Sequence, residues 1–119
     1  MLLYPAIVFG LTALGGLTMA GIRLSGAPRP PTWLALGHGA LGATGLIWLG
    51  YLTMMTGVPF LAQIALGVFL VAALGGIAIF AMFHVQDKPL PIPLVIGHGL
   101  IAATGLTLLI LSMFGPAAG

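Results

Sequence analysis

Two histidines offer most of the chemistry in this sequence. His38 stands in Gly37-His38-Gly39 and His98 in Gly97-His98-Gly99, 60 positions apart. Each lies about six residues inside a long apolar stretch, ~10 Å from its nearer end by helical rise. An ionisable side chain at that depth in a bilayer is costly and marks a functional position by default. On a helix, positions i+4 and i+7 lie almost above position i. For His38 these are Gly42 and Gly45, and for His98 they are Ala102 and Gly105. Each imidazole is therefore expected at the foot of a strip free of bulky side chains, against which the edge of a flat macrocycle fits. Imidazole nitrogen suits iron, and two facing imidazoles supply both axial ligands of one haem b. The expected site has His38 and His98 as metal ligands, with Gly42, Gly45, Ala102 and Gly105 lining the cofactor. A plainer expectation uses the same residues. Gly-His-Gly then marks a close helix crossing, each ring bonded to a carbonyl or to the other histidine. A quinone, a proton path and a chlorophyll-type pigment are further alternatives, since one imidazole ligates either metal centre.

His84 has no counterpart 60 positions earlier, where Leu24 stands. It falls at the end of an apolar stretch beside Asp87 and Lys88. The ordinary expectation is a solvated interfacial histidine; the functional one is a proton exchanger or a contact to a quinone headgroup. Arg23, Arg29 and Lys88 gather at the same end. Orientation of the chain accounts for them, with pairing to a haem propionate as the alternative. Thr44 and Thr104 sit off the histidine face, where each hydroxyl is expected to bond back to a carbonyl one turn earlier.

Several chemistries are missing. The chain has no cysteine, so disulfides, thiolate metal sites and cysteine nucleophiles are excluded. It shows no Ser-His-Asp set, no paired carboxylates and no phosphate loop. Catalysis by the chain alone is not expected. Asp87 is the single side-chain carboxylate and belongs to a loop, whereas a proton-coupled carrier keeps one within the membrane. Three basic residues are too few for a nucleic-acid footprint.

The elements that must hold the histidines follow from composition. Apolar residues make up 61% of the 119, and only Arg23, Arg29, Asp87 and Lys88 carry a fixed charge. A water-soluble surface of this size needs many more charges, so the bilayer is the expected solvent. Four stretches of bilayer-spanning length fit, about 3–24, 32–55, 60–83 and 91–114. Proline and glycine mark the breaks, in Ser25-Gly26-Ala27-Pro28-Arg29-Pro30-Pro31, Thr56-Gly57-Val58-Pro59 and Gln86-Asp87-Lys88-Pro89-Leu90-Pro91. The first stretch lacks a basic leader and is too long for a signal-peptide core, so a permanent span is expected.

Sliding the chain on itself by 60 positions aligns Ala13-Leu14-Gly15-Gly16 with Ala73-Leu74-Gly75-Gly76. The same shift aligns the two Gly-His-Gly triads and Ala43-Thr44-Gly45-Leu46 with Ala103-Thr104-Gly105-Leu106. The expected fold is an all-α, integral membrane four-helix bundle of one domain, 1–119, made of two tandem transmembrane hairpins, 1–59 and 60–119. An even number of helices per copy gives a parallel repeat about an axis along the membrane normal. Small residues four apart (Thr12, Gly16 and Ala20, then Ala72 and Gly76) are expected at helix contacts. The positive-inside rule puts the charged loops in the cytoplasm and both termini outside, with a bacterial inner membrane as the expected location.

Three functions fit. The first is a small b-type haem subunit relaying electrons within a larger redox complex; in general plan it resembles di-histidine haem membrane anchors. The second is a non-catalytic accessory or scaffold subunit whose histidines only make helix contacts. The third is a small oligomeric transporter or channel, which the scarcity of polar residues along the spans disfavours. The expected partners are the lipid bilayer and other membrane subunits or further copies of the chain.

Overall fold

The computed structural model describes residues 1–115. They form four helices: α1 (Leu3–Leu24), α2 (Thr32–Thr56), α3 (Phe60–Ile79), which continues into a π-helical turn at Phe80–His84, and α4 (Ile92–Ser112). Proline starts three of them. Pro31, Pro59 and Pro91 stand immediately before α2, α3 and α4 with extended ψ, so each helix begins where a fixed φ and a missing N–H cost nothing. Helix α2 stops at Gly57, whose φ of 68° is the left-handed cap that glycine adopts without strain.

The helices run up and down in a bundle 45 Å long and about 20 Å across, extents of 45 × 21 × 18 Å. The length matches a bilayer with its headgroups. Helix α1 packs against α2 and α4, and α3 against α4 and α2, which leaves α1 opposite α3 and α2 opposite α4. The outside is apolar: Trp33, Ile47, Met54 and Phe60 are each more than 70% exposed. In water such a surface aggregates; in lipid it is solvated. Three helices, α1, α3 with its π turn, and α4, are long and apolar enough to cross a membrane. Helix α2 has 25 residues and no charge, but its glycines, tryptophans and His38 dilute its hydropathy. Threonines inside the helices satisfy their own hydroxyls. Thr12, Thr18, Thr44, Thr53, Thr104 and Thr107 each donate to the carbonyl four residues back at 2.8 Å.

The packed core occupies only the half of the bundle near the termini. Its centre is a stack of Phe9 on Phe69, ring centroids 3.8 Å apart and 5° from parallel, which joins the diagonal pair α1 and α3. Leu49 and Leu109 are fully buried beside it. Buried helix residues are Pro5 and Phe9 on α1, Gly45, Leu49 and Leu52 on α2, Ala62, Ala65, Phe69 and Ala72 on α3, and Gly105, Leu109 and Ser112 on α4. From the level of the histidines to the loops, no helical residue except His84 is buried.

The loop end is closed by a clasp. Arg23 Nε donates to the Leu90 carbonyl at 2.8 Å, and the Leu90 amide donates to the Pro28 carbonyl at 3.0 Å. Arg29 pairs loosely with Asp87 at 3.7 Å. Asp87 takes a left-handed φ of 56°, which aspartate tolerates better than most residues.

Candidate functional site

His38 on α2 and His98 on α4 meet across the bundle. Their ring centroids are 6.1 Å apart and their planes 76° from parallel. Nδ1 of His38 lies 2.9 Å from the Thr12 carbonyl of α1. A carbonyl only accepts, so Nδ1 carries a proton, and in the uncharged tautomer this leaves the lone pair on Nε2. The corresponding carbonyl for His98 is that of Ala72, which lies nearby but outside hydrogen-bonding geometry, so Nδ1 of His98 is buried without a partner. The rings do not bond to each other, and neither Nε2 makes a hydrogen bond among the described residues.

Glycine seats both rings. A β-carbon at Gly16 would stand 3.0 Å from Cε1 of His38, and one at Gly76 would stand 3.0 Å from Cε1 of His98. A β-carbon at Gly15 or Gly75 would lie 3.8 Å from Nδ1 of the same rings. The Ala-Leu-Gly-Gly segments of α1 and α3 are thus the seats for the histidines of α2 and α4. The two motifs share one spacing in the sequence, which by itself does not pair a seat with its ring. Phe9 and Phe69 share that 60-residue spacing too.

The expected strip beside each histidine is filled. A β-carbon at Gly45 would fall 2.9 Å from the Phe9 ring, and one at Gly105 2.9 Å from the Phe69 ring. Gly42 faces the Thr12 methyl at 3.6 Å. These glycines, with Ala102 one turn below Gly105, accommodate the neighbouring hairpin helix and the phenylalanine stack, so Gly45 and Gly105 do not border a gap. The close-crossing expectation is also corrected in part. Gly37, Gly39, Gly97 and Gly99 have nothing within 4 Å of a built β-carbon, so the glycines flanking each histidine face open space.

His84 is the second correction. It is buried, with Nε2 3.1 Å from Thr32 Oγ1 and its ring stacked on Phe80 at 5.0 Å. The cause is the π turn, in which the Val85 amide reaches back five residues to the Phe80 carbonyl at 2.9 Å. One extra residue in the turn rotates His84 inward. Leu24, on regular α-helix, remains exposed.

The fold and site define an apolar helical bundle with paired imidazoles in its interior. No protein-family model, curated protein or solved structure matches the chain.

Proposed function

We propose that this chain is a membrane-embedded b-type haem subunit that relays electrons, with His38 and His98 as the axial ligands. The observation that carries the reading is the spacing of the two rings. Metal–imidazole bonds are ~2 Å, and a ring centre lies ~1 Å behind its nitrogen, so two imidazoles that held one metal between them would have centroids ~6 Å apart. The rings stand at 6.1 Å. The Thr12 carbonyl on Nδ1 of His38 is the outer partner that frees Nε2 for a metal. Phe9 and Phe69 close the side toward the termini, so a macrocycle would have to extend into the half toward the loops, where few side chains are buried. When bound, haem supplies one-electron chemistry; the chain's part is to orient two imidazoles, exclude water and set the apolar surroundings that tune potential.

The reading carries a membrane arrangement with it. All four helices span, as two duplicated hairpins, with the charged loops cytoplasmic and both termini outside. The described loops between the helices are short, so the donor and acceptor would be another membrane subunit or a lipid-soluble carrier. An absorption spectrum of the detergent-purified chain, expressed with haem supplied, tests the proposal. A Soret band is expected, lost on replacing either histidine by alanine. A chain without that band after haem supplementation ends the proposal.

The open glycines support a second reading, an accessory subunit. Gly37, Gly39, Gly97 and Gly99 leave backbone bare on the outside, where partner helices approach closely. That reading expects unchanged cofactor content in a complex whose H38A and H98A variants still assemble.

A further inference from the structure

A cleft of about 470 Å³ opens at the loop end, lined by Ile22, Pro28, Arg29, Pro30, Pro31, Thr32, His84 and Asp87. Its walls are half apolar, from Ile22 and three prolines, and half polar, from Arg29, Thr32, His84 and Asp87. We infer that the cleft binds the headgroup of a quinone, a neutral ring bearing two carbonyls on an apolar tail. Prolines and Ile22 give the ring flat apolar walls. Thr32 Oγ1 and His84 Nε2 face each other at 3.1 Å, and Nδ1 of His84 makes no hydrogen bond among the described residues. When Thr32 donates to Nε2, the proton of His84 resides on Nδ1, ready for a carbonyl acceptor. The histidine is held in place by its stack on Phe80 and by the π turn, a distortion that recurs at functional sites.

Charge selects the class of ligand. Arg29 and Asp87 offset each other at 3.7 Å, so an anionic lipid headgroup would have to displace a carboxylate already beside the guanidinium. A neutral carbonyl meets no such opponent. Thr32 precedes His38 by six residues on α2, ~9 Å by helical rise. The site therefore deepens the proposed electron relay by naming the class of its exchange partner, while the binding itself stands on the cleft alone.

The test is a titration of the full chain in detergent with decylubiquinone, following tryptophan fluorescence. Trp33 adjoins Thr32, and Trp48 lies at the other end against Tyr4, so a W48F background isolates the near reporter. Saturable quenching is expected, weakened about tenfold by T32V and by H84Q, and unchanged when His38 and His98 are both replaced by alanine. T32V keeps the exposed β-branched side chain and removes only the hydroxyl, so it remains informative if H84Q fails to fold. Absence of saturation, equal affinity in wild type and T32V, or equally effective displacement by phosphatidylglycerol overturns the inference. Because the histidine double variant is scored for quinone and not for haem, failure here is distinct from failure of the haem reading.

Discussion

The histidine pair was legible because a polar ring in an apolar stretch must find a partner there. What faced each ring was not legible. Sequence spacing places residues on a face of their own helix and says nothing about which motif of another helix covers it. Hence Gly42 and Gly45 were assigned to a cofactor edge, whereas Gly16 and Gly76 are the glycines that touch the rings. A residue-level prediction follows from the 3.0 Å approach at those two positions. In G16A or G76A the ring must move by a few tenths of an ångström, and ligation geometry is unforgiving at that scale. Haem retained after purification, read as pyridine haemochrome, should fall several-fold in either variant. G39A, where a methyl meets open space, should retain haem at the wild-type level. Equal retention in all three would remove the seat from the account.

Element boundaries were readable from proline and glycine, since a ring-locked φ and a left-handed cap act locally. The π turn was not readable. It is one extra residue in a helix whose apolar pattern is continuous, so nothing in Phe80-Ala81-Met82-Phe83-His84 announces that His84 turns inward. The stack that joins α1 and α3 gives the prediction at this scale. Burying apolar area gains little when lipid is the alternative, so Phe9 contributes mainly through contact and cavity terms. F9A should cost about 2 kcal/mol, below the ~3–5 of a water-soluble core, because only the cavity term survives. Unfolding in a titration of denaturing detergent reads that loss. G45A should destabilise the wild-type chain, since its methyl meets the Phe9 ring at 2.9 Å, and should be nearly neutral in the F9A background. Additive losses in the double variant would show that the two positions do not share the contact.

At the scale of the molecule, the bundle is tight near its termini and loose near its loops. A half whose helices bury only His84 holds its shape only if something else fastens it, and the clasp of Arg23, Leu90 and Pro28 is the fastening the structure provides. It ties the end of α1 and the first loop to the segment that leads into α4, so it joins the two hairpins across the region where the cofactor would sit. Hydrogen bonds to charged groups contribute ~1.5–3 kcal/mol, and partial exposure of the guanidinium lowers this to about 1 kcal/mol, a factor of ~5. R23Q should therefore speed haem loss to apomyoglobin about fivefold, with R23K between it and wild type. Denaturing-detergent stability should shift less than in F9A, because the phenylalanine core lies at the opposite end. If R23Q instead lowers stability as much as F9A while leaving haem loss unchanged, the clasp is part of the general fold and the loose half needs another explanation.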